Sequence, residues 1–352
     1  MSTKSTQTEH NFRWQGRDDQ EDGENRYRLH HLIKPVATLA NQQSGKQQLG
    51  KQPRVALLGF ETDEGVQRNK GRIGASQGPD SIRQALCNLA WHETSTLYDL
   101  GNVSTVPMAL EANQALTAEI ISRELQHAPL VVLGGGHEIA WSSFLGLAQH
   151  LEKQSPAPRI GIINFDAHFD LREYRTHQSD GSTAKASSAK DQTLQPSSGT
   201  PFSQIADYCH SHHQPFNYMC IGVSKASNTK ALFERAELLN VQTLLDEEML
   251  YDVTPSHLQA LERFIDNVDH LYLTIDLDVF SAAHAPGVSA PAALGLSPEI
   301  FYPYFKTILK HKDKLRLADI AEYNPDLDID GRTAKLAARL VWQIMTALSQ
   351  TK

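Results

Sequence analysis

Two short segments of this chain concentrate side chains that bind cations: Asp166-Ala167-His168-Phe169-Asp170 and Asp276-Leu277-Asp278. Each follows an apolar, β-branched run that reads as a buried strand, Ile160-Gly161-Ile162-Ile163-Asn164-Phe165 before the first and Leu271-Tyr272-Leu273-Thr274-Ile275 before the second. An ionised carboxylate at the end of a hydrophobic strand is costly unless something neutralises it. Divalent cations do so: four aspartates at about −1 each offset two ions at about +2 each, which leaves a near-neutral cluster that can be buried. The chemistry expected is that of one binuclear metal site split between two strands.

Two further strands end in loaded segments. Residues 129–133 run into Gly134-Gly135-Gly136-His137-Glu138, and residues 315–321 into Glu322-Tyr323-Asn324-Pro325. Ligands of open parallel sheets bind beyond the carboxyl ends of the strands. Four strands are therefore expected to deliver His, Asp and Glu to one edge. Alternate residues of an extended chain share a face, so Asp166, His168 and Asp170 point the same way if the extension persists, as do Asp276 and Asp278. The glycines before His137 let backbone pack tightly against a site. Two imidazoles and four carboxylates, with no thiolate, suit manganese better than a structural zinc.

Taken one at a time these segments have plainer readings. GGGH can be an ordinary tight turn, D-x-D a solvated turn, DAHFD a surface loop and Glu322 an ion-pair partner. Their common order, each after an apolar strand, is what favours the metal site. GGGHE lacks both the GK[ST] of a phosphate loop and the G-x-G-x-x-G spacing, which excludes those nucleotide sites. His210, His212 and His213 close an expected helix and read as surface histidines at its C-terminal end, a second metal site being the alternative. Tyr302, Tyr304 and Phe305 read as packing.

The elements that position these residues alternate along the chain. Strands are expected at 54–60, 129–133, 159–165, 218–223, 270–275 and 315–321, with a thinner pattern at 241–245. Helices are expected at 79–90, 110–127, 139–153, 201–211, 229–239, 256–267, 298–311 and 331–348. Such alternation predicts an α/β fold with a mostly parallel sheet covered on both faces. Residues 1–52 are polar and Gln/Asn-rich and read as an arm before a single catalytic domain over 53–352. Residues 174–199 are rich in Ser, Thr, Gln and Lys and read as a long polar loop, either a lid or a tolerated insertion.

Bulk properties narrow the function classes. The chain has 352 residues, 40% hydrophobic, and a formal charge of −8 with no basic stripe, which speaks against nucleic acid and anionic membranes as partners. No apolar run is long enough to span a bilayer, and the opening MSTKSTQTEHNF lacks the apolar core of a signal peptide. Cys87, Cys209 and Cys220 are few and unpatterned, so no disulfide framework is expected. A cytoplasmic protein acting on a small-molecule substrate is the expectation.

GGGHE, DAHFD, DLDVFSAAHAPGVSAP and AEYNP resemble, in this order, the ureohydrolase family of arginases, agmatinases and formimidoylglutamases, and GRIGASQGPDSIRQAL (Gly71 to Leu86) is similar to the family's early segment. The resemblance spans roughly residues 54–348. It implies a three-layer α/β/α fold on an eight-stranded parallel sheet, two Mn(II) ions per subunit, hydrolysis of a C–N bond in an amidine or guanidine, and homo-oligomers such as trimers or hexamers. By motif, His137, Asp166, Asp170 and Asp276 would hold one ion. His168, Asp166, Asp276 and Asp278 would hold the other, with Asp166 and Asp276 bridging. Glu322 matches the acid that binds the substrate's cationic amidine, and Asp170 doubles as a proton acceptor.

Substrate choice turns on Arg172, which stands two residues after Asp170 where the arginase pattern has Asn. An Arg there can grip a carboxylate bidentately. That suits N-formimidoyl-L-glutamate, with its two carboxylates, and disfavours the cationic tail of agmatine. DAHFDLR and APGVSAP are most similar to the formimidoylglutamase branch. Arginases and agmatinases carry a proton-relay His in the loop after DxHxD; Ser198-Gly199-Thr200-Pro201 stands in that place. His177 is a weak substitute, leaving proton transfer to solvent or Asp170. The runner-up is an agmatinase-like or guanidino-acid hydrolase that releases urea. A non-catalytic metal-binding member of the fold is a further alternative, although every ligand position is filled.

Overall fold

The structure, a computed structural model, describes residues 7–40, 54–152, 154, 157–175, 194–250 and 252–350. Among these the chain forms ten strands: β1 (Thr8–Glu9), β2 (Lys34–Pro35), β3 (Arg54–Phe60), β4 (Thr96–Val103), β5 (Leu130–Gly134), β6 (Ile160–Phe165), β7 (Asn217–Val223), β8 (Gln242–Leu245), β9 (His270–Asp276) and β10 (Leu315–Ala321). The strand order is β1-β4-β3-β5-β10-β9-β6-β7-β8, with β2 also on β4. The eight strands from β4 to β8 run parallel, as expected. The arm adds the rest, β1 antiparallel and β2 parallel to β4.

Alternation along the strands builds the three layers. Val55 and Leu57 of β3, Ile163 and Phe165 of β6 and Leu271, Leu273 and Ile275 of β9 enter one apolar cluster, packed against helices Gly78–Leu86, Pro255–Asp266, Pro298–Lys310 and Arg332–Ser349. Their neighbours Ala56, Leu58, Ile160, Ile162 and Tyr272 enter a second cluster on the opposite face, against Leu110–Glu124, Ile139–Leu151, Pro201–Ser211 and Lys230–Leu238. A parallel strand buried on both faces reads as a continuous apolar run, which is why most of these strands were legible. Tyr304 and Phe305 are buried among them, and Tyr302 lies half outside with its hydroxyl accepting from Gln343.

One core strand escaped the sequence reading. In β4, TLYDLGNV, Asp99, Gly101 and Asn102 interrupt the apolar pattern. The interruption is compensated from the helix beside it. The fully buried Arg83 donates from Nε and Nη2 to the two Asp99 oxygens at 3.0 and 2.9 Å and from Nη2 to Gly101 O at 3.0 Å. Trp14 of the arm adds Nε1–H to Asp99 at 2.9 Å, and Leu29, Ile33 and Leu39 are buried, so the described part of the arm packs onto this edge.

Candidate metal centre

The four strands with loaded ends, β5, β10, β9 and β6, are consecutive in the middle of the sheet. Their side chains therefore meet at one edge with no long reach required. After β5 the triple glycine folds tightly against the β3 turn: Gly135 and Gly136 donate to Phe60 O and Thr62 O, both at 2.9 Å. A Cβ on Gly135 would stand 1.7 Å from Thr62 O, so only glycine fits. Glu322 takes the left-handed φ of +65° and donates its N–H to Gly135 O at 2.8 Å, while its Oε1 accepts from His137 N at 2.9 Å.

The expected extension past β6 and β9 does not persist. Both strands close with the same turn instead: Asp166 Oδ1 accepts from His168 N at 2.7 Å, and Asp276 Oδ1 accepts from Asp278 N at 2.9 Å. A short carboxylate bonding the backbone two residues on outcompetes continued strand once no partner strand remains. Asp170 follows in the left-handed region at φ +48°. The aspartates consequently face different partners. His137 Nδ1 lies 3.1 Å from Asp166 Oδ2, 2.9 Å from Asp170 Oδ2 and 3.1 Å from Asp276 Oδ2. His168 Nδ1 lies 3.5 Å from Asp166 Oδ1 and 3.1 Å from Asp278 Oδ2.

Two groups that could hold a metal result: His137, Asp166, Asp170 and Asp276, and Asp166, His168 and Asp278. Asp166 belongs to both, one oxygen to each. Asp276 appears in the first group only, and its Oδ1 accepts from the Asp278 N–H.

The electrostatics are those of a site short of positive charge. Burial, then Asp278 and Asp166, drive the Asp276 carboxyl well up, and burial with Asp166 pushes Asp170 up to about 6. Burial also opposes ionisation of Asp166, yet the His137 and His168 imidazoles hold its carboxyl below the ordinary range. Burial and the neighbouring Glu138 push Glu322 up to about 8. The buried His137 Nδ1 has no hydrogen-bond partner. Oxygen and imidazole donors, an orphaned ring nitrogen and uncompensated carboxylates fit divalent cations.

A cavity of about 380 Å³ opens onto this cluster, lined by His168, Asp170, Asp276, Asp278 and Glu322 at its floor and by Arg72, Arg172 and Ser198 higher up. Arg172 is exposed and, among the described residues, pairs with no carboxylate; its N–H donates to Gly199 O at 2.9 Å. His177 and most of the expected 174–199 loop lie outside the described residues. His210, His212 and His213 are exposed at a helix end, away from the cavity-lining set.

Three supporting residues were missed. Asn228 donates to Ala167 O at 2.8 Å and accepts from Phe169 N at 3.0 Å, which braces the Asp166–Asp170 turn. Asn164 Nδ2 donates to Asp166 Oδ2 at 3.0 Å, and Thr274 Oγ1 meets His137 Nε2 at 3.0 Å. Asn164 and Thr274 each stand two positions before a strand-end aspartate in an otherwise apolar run, a signal that could have found them.

Residues 53–347 match the profile of the Arginase family. The chain belongs to the arginase family. It is 53% identical over 341 residues to the formimidoylglutamase of Vibrio vulnificus, covering 96% of this chain and 95% of that protein. It is 52% identical over 346 residues to the formimidoylglutamase of Vibrio cholerae, covering 97% and 96%. Among solved structures, formimidoylglutamase from Bacillus subtilis matches with a TM-score of 0.73 at 22% identity over 92% of each chain. Trypanosoma cruzi formiminoglutamase with Mn2+ matches with a TM-score of 0.69 at 21% identity, over 90% of this chain and 99% of that one. At such identities the solved structures establish the arginase fold; the family and the curated relatives indicate a hydrolase acting on amidine C–N bonds. No described helix is long and apolar enough to cross a membrane.

Proposed function

We propose that this enzyme hydrolyses N-formimidoyl-L-glutamate to L-glutamate and formamide with two Mn(II) ions per subunit. His137, Asp166, Asp170 and Asp276 would hold one ion, and Asp166, His168, Asp276 and Asp278 the other. The observation that carries this reading is the pair of His/Asp groups sharing Asp166 beneath one cavity. The substrate is supported by the relatives' names and by the Arg172 guanidinium, which lines the same cavity and pairs with no carboxylate among the described residues.

When bound, the ion pair supplies a water nucleophile at neutral pH and positive charge for the transition state. The rest falls to the chain. Glu322, anchored through Oε1 by the His137 N–H, offers its carboxylate to the cationic amidine and keeps the formimidoyl carbon facing the floor. Asp170, at the same floor, takes the proton of the attacking water and passes it to the glutamate nitrogen as the C–N bond breaks. Arg172 grips a substrate carboxylate with its planar fork, which works against the cationic tail of agmatine.

The proposal extends to a cytoplasmic homo-oligomer with one catalytic domain over 53–352. The compartment is supported by three cysteines, Cys87, Cys209 and Cys220, that are free and buried; the oligomer rests on the family. Purified protein with Mn2+ is to be assayed on formimidoylglutamate, agmatine and arginine. Formamide and glutamate from the first are expected; urea from either of the others, with the first untouched, overturns the substrate.

A further inference from the structure

Three cations line the cavity above the acidic floor, Lys70, Arg72 and Arg172, and none of them pairs with a carboxylate among the described residues. The guanidiniums of the adjoining hollow are answered: Arg68 meets Glu64 and Glu111, and Arg235 meets Glu173. Different loops fix the two cavity arginines. The Arg172 N–H donates to Gly199 O at 2.9 Å, and its side chain crosses Gly199 so closely that a Cβ there would stand 2.8 Å from Arg172 Cδ. Arg72 is held by the segment that follows β9. Its N–H donates to Ser289 Oγ at 2.7 Å, its Nε to Ser289 O at 2.8 Å and its Nη2 to Val288 O at 2.8 Å. Both carbonyls belong to APGVSAP, Ala285 to Pro291, and Ser289 itself lines the cavity. Val288 also bridges to Tyr323, the residue after Glu322.

We propose that Arg72 binds one carboxylate of the substrate and Arg172 the other, so that the cavity selects a dicarboxylate. The inference rests on the formimidoylglutamate reading above. A guanidinium presents its N–H groups along two edges. The side edge of Arg72, Nε and Nη2, is taken by the two carbonyls, which hold the group in place without cancelling its charge. The end edge, Nη1 with the second N–H of Nη2, has no partner among the described residues and matches the two oxygens of a carboxylate. Lys70 carries a charge as well, but no hydrogen bond among the described residues holds its ammonium, so it would lose more freedom on binding. The charges also match in kind. N-formimidoyl-L-glutamate carries one amidinium and two carboxylates; the cavity offers Glu322 to the first and two guanidiniums to the others. Apart from His168, the titratable groups of the floor are acids, so carboxylates of the substrate find their counter-charges only at the rim.

The test is steady-state kinetics of the Mn2+-loaded enzyme on N-formimidoyl-L-glutamate and on two analogues that each lack one carboxylate. N-formimidoyl-γ-aminobutyrate lacks the α group, and N-formimidoyl-L-α-aminobutyrate lacks the γ group. An analogue turned over too slowly is measured as a competitive inhibitor. Arg72→Ala is expected to keep its Mn2+, to change kcat less than KM, and to raise KM for the dicarboxylate by roughly 10- to 100-fold, the size of one charged hydrogen-bond pair. On one analogue that penalty disappears, and for Arg172→Ala it disappears on the other. An Arg72 that only braced the loop would weaken all three compounds alike. Arg72→Gln keeps a donor for the carbonyls without the charge, so it carries the test if Arg72→Ala disturbs the loop. Both penalties vanishing on the same analogue, an Arg72 penalty equal on all three compounds, or the selective loss appearing in Lys70→Ala instead of Arg72→Ala overturns the assignment. Parent enzyme inert toward formimidoylglutamate overturns the substrate reading instead.

Discussion

Two buried clusters of charge sit at different places on the same sheet, and they are built on opposite principles. At the arm-covered edge, Arg83 and Asp99 close on each other with side-chain exposures of 0% and 3%, and the remaining donors reach Asp80 and Gly101 O. Every charge there has its counter-charge within the chain. At the carboxyl edge of the central strands, four aspartates and Glu322 face two imidazoles, and the buried nitrogen of His137 bonds to nothing. A buried ion pair with full hydrogen bonding is a structural solution. A buried group left incomplete by its own chain is a place for something from outside. The incompleteness, more than the presence of charge, separates the functional site from the architectural one.

Removing one carboxylate from each cluster tests this most directly. Asp276→Ala is expected to abolish metal uptake, with loss of several kcal/mol of transition-state stabilisation and turnover down on the order of 10³-fold. The metal-free variant should unfold at the same denaturant concentration as metal-free parent, or higher, because the lost carboxylate was buried against the like charges of Asp278 and Asp166. Mass-spectrometric metal content, turnover and urea unfolding together check this. Asp99→Ala should do the reverse. It leaves the buried Arg83 with Asp80 as its remaining counter-charge and two donors unanswered, which is expected to cost about 1 to 3 kcal/mol of stability, read from the urea midpoint, while the folded fraction binds metal like the parent. Equal stability losses in both variants would erase the distinction between the clusters.

Arg172→Ala sharpens the comparison above the metal floor. It should keep both ions and raise the Michaelis constant for formimidoylglutamate by roughly 10- to 100-fold, the size of one charged hydrogen-bond pair at about 1.5 to 3 kcal/mol. Unchanged kinetics would remove Arg172 from substrate binding. The smallest effect belongs to the exposed histidines. Replacing His210, His212 and His213 together by Ala should leave metal content unchanged and stability within about 0.5 kcal/mol; a lost equivalent of metal would show a second site there.

What was legible in the chain follows the cost of burial. Strands such as IGIINF and LYLTID are apolar because both faces are covered, and an aspartate straight after them demands a reason. Strand β4 was hidden because its polar residues are answered by Arg83, sixteen or more positions earlier in the chain, and by Trp14, a link that no local pattern displays. The shared-face argument for Asp166, His168 and Asp170 named the right residues for an incomplete reason. Strand geometry stops where hydrogen-bonded neighbours stop, and the Asp166 turn, not alternation, sends His168 and Asp170 to different partners.

The amino-acid sequence by itself determined the alternating elements, the four strand-end segments and the donor types gathered there, since hydrophobic periodicity and the penalty for burying charge are properties of local composition. Tertiary structure alone decided that β10 inserts between β5 and β9, so that Glu322 reaches the His137 backbone and Asp319 comes to lie beside Thr274. Strand order is set by contacts between segments far apart along the chain, such as Leu317 with Leu130 and Asp319 with Thr274, and those contacts leave no trace in the spacing of neighbours.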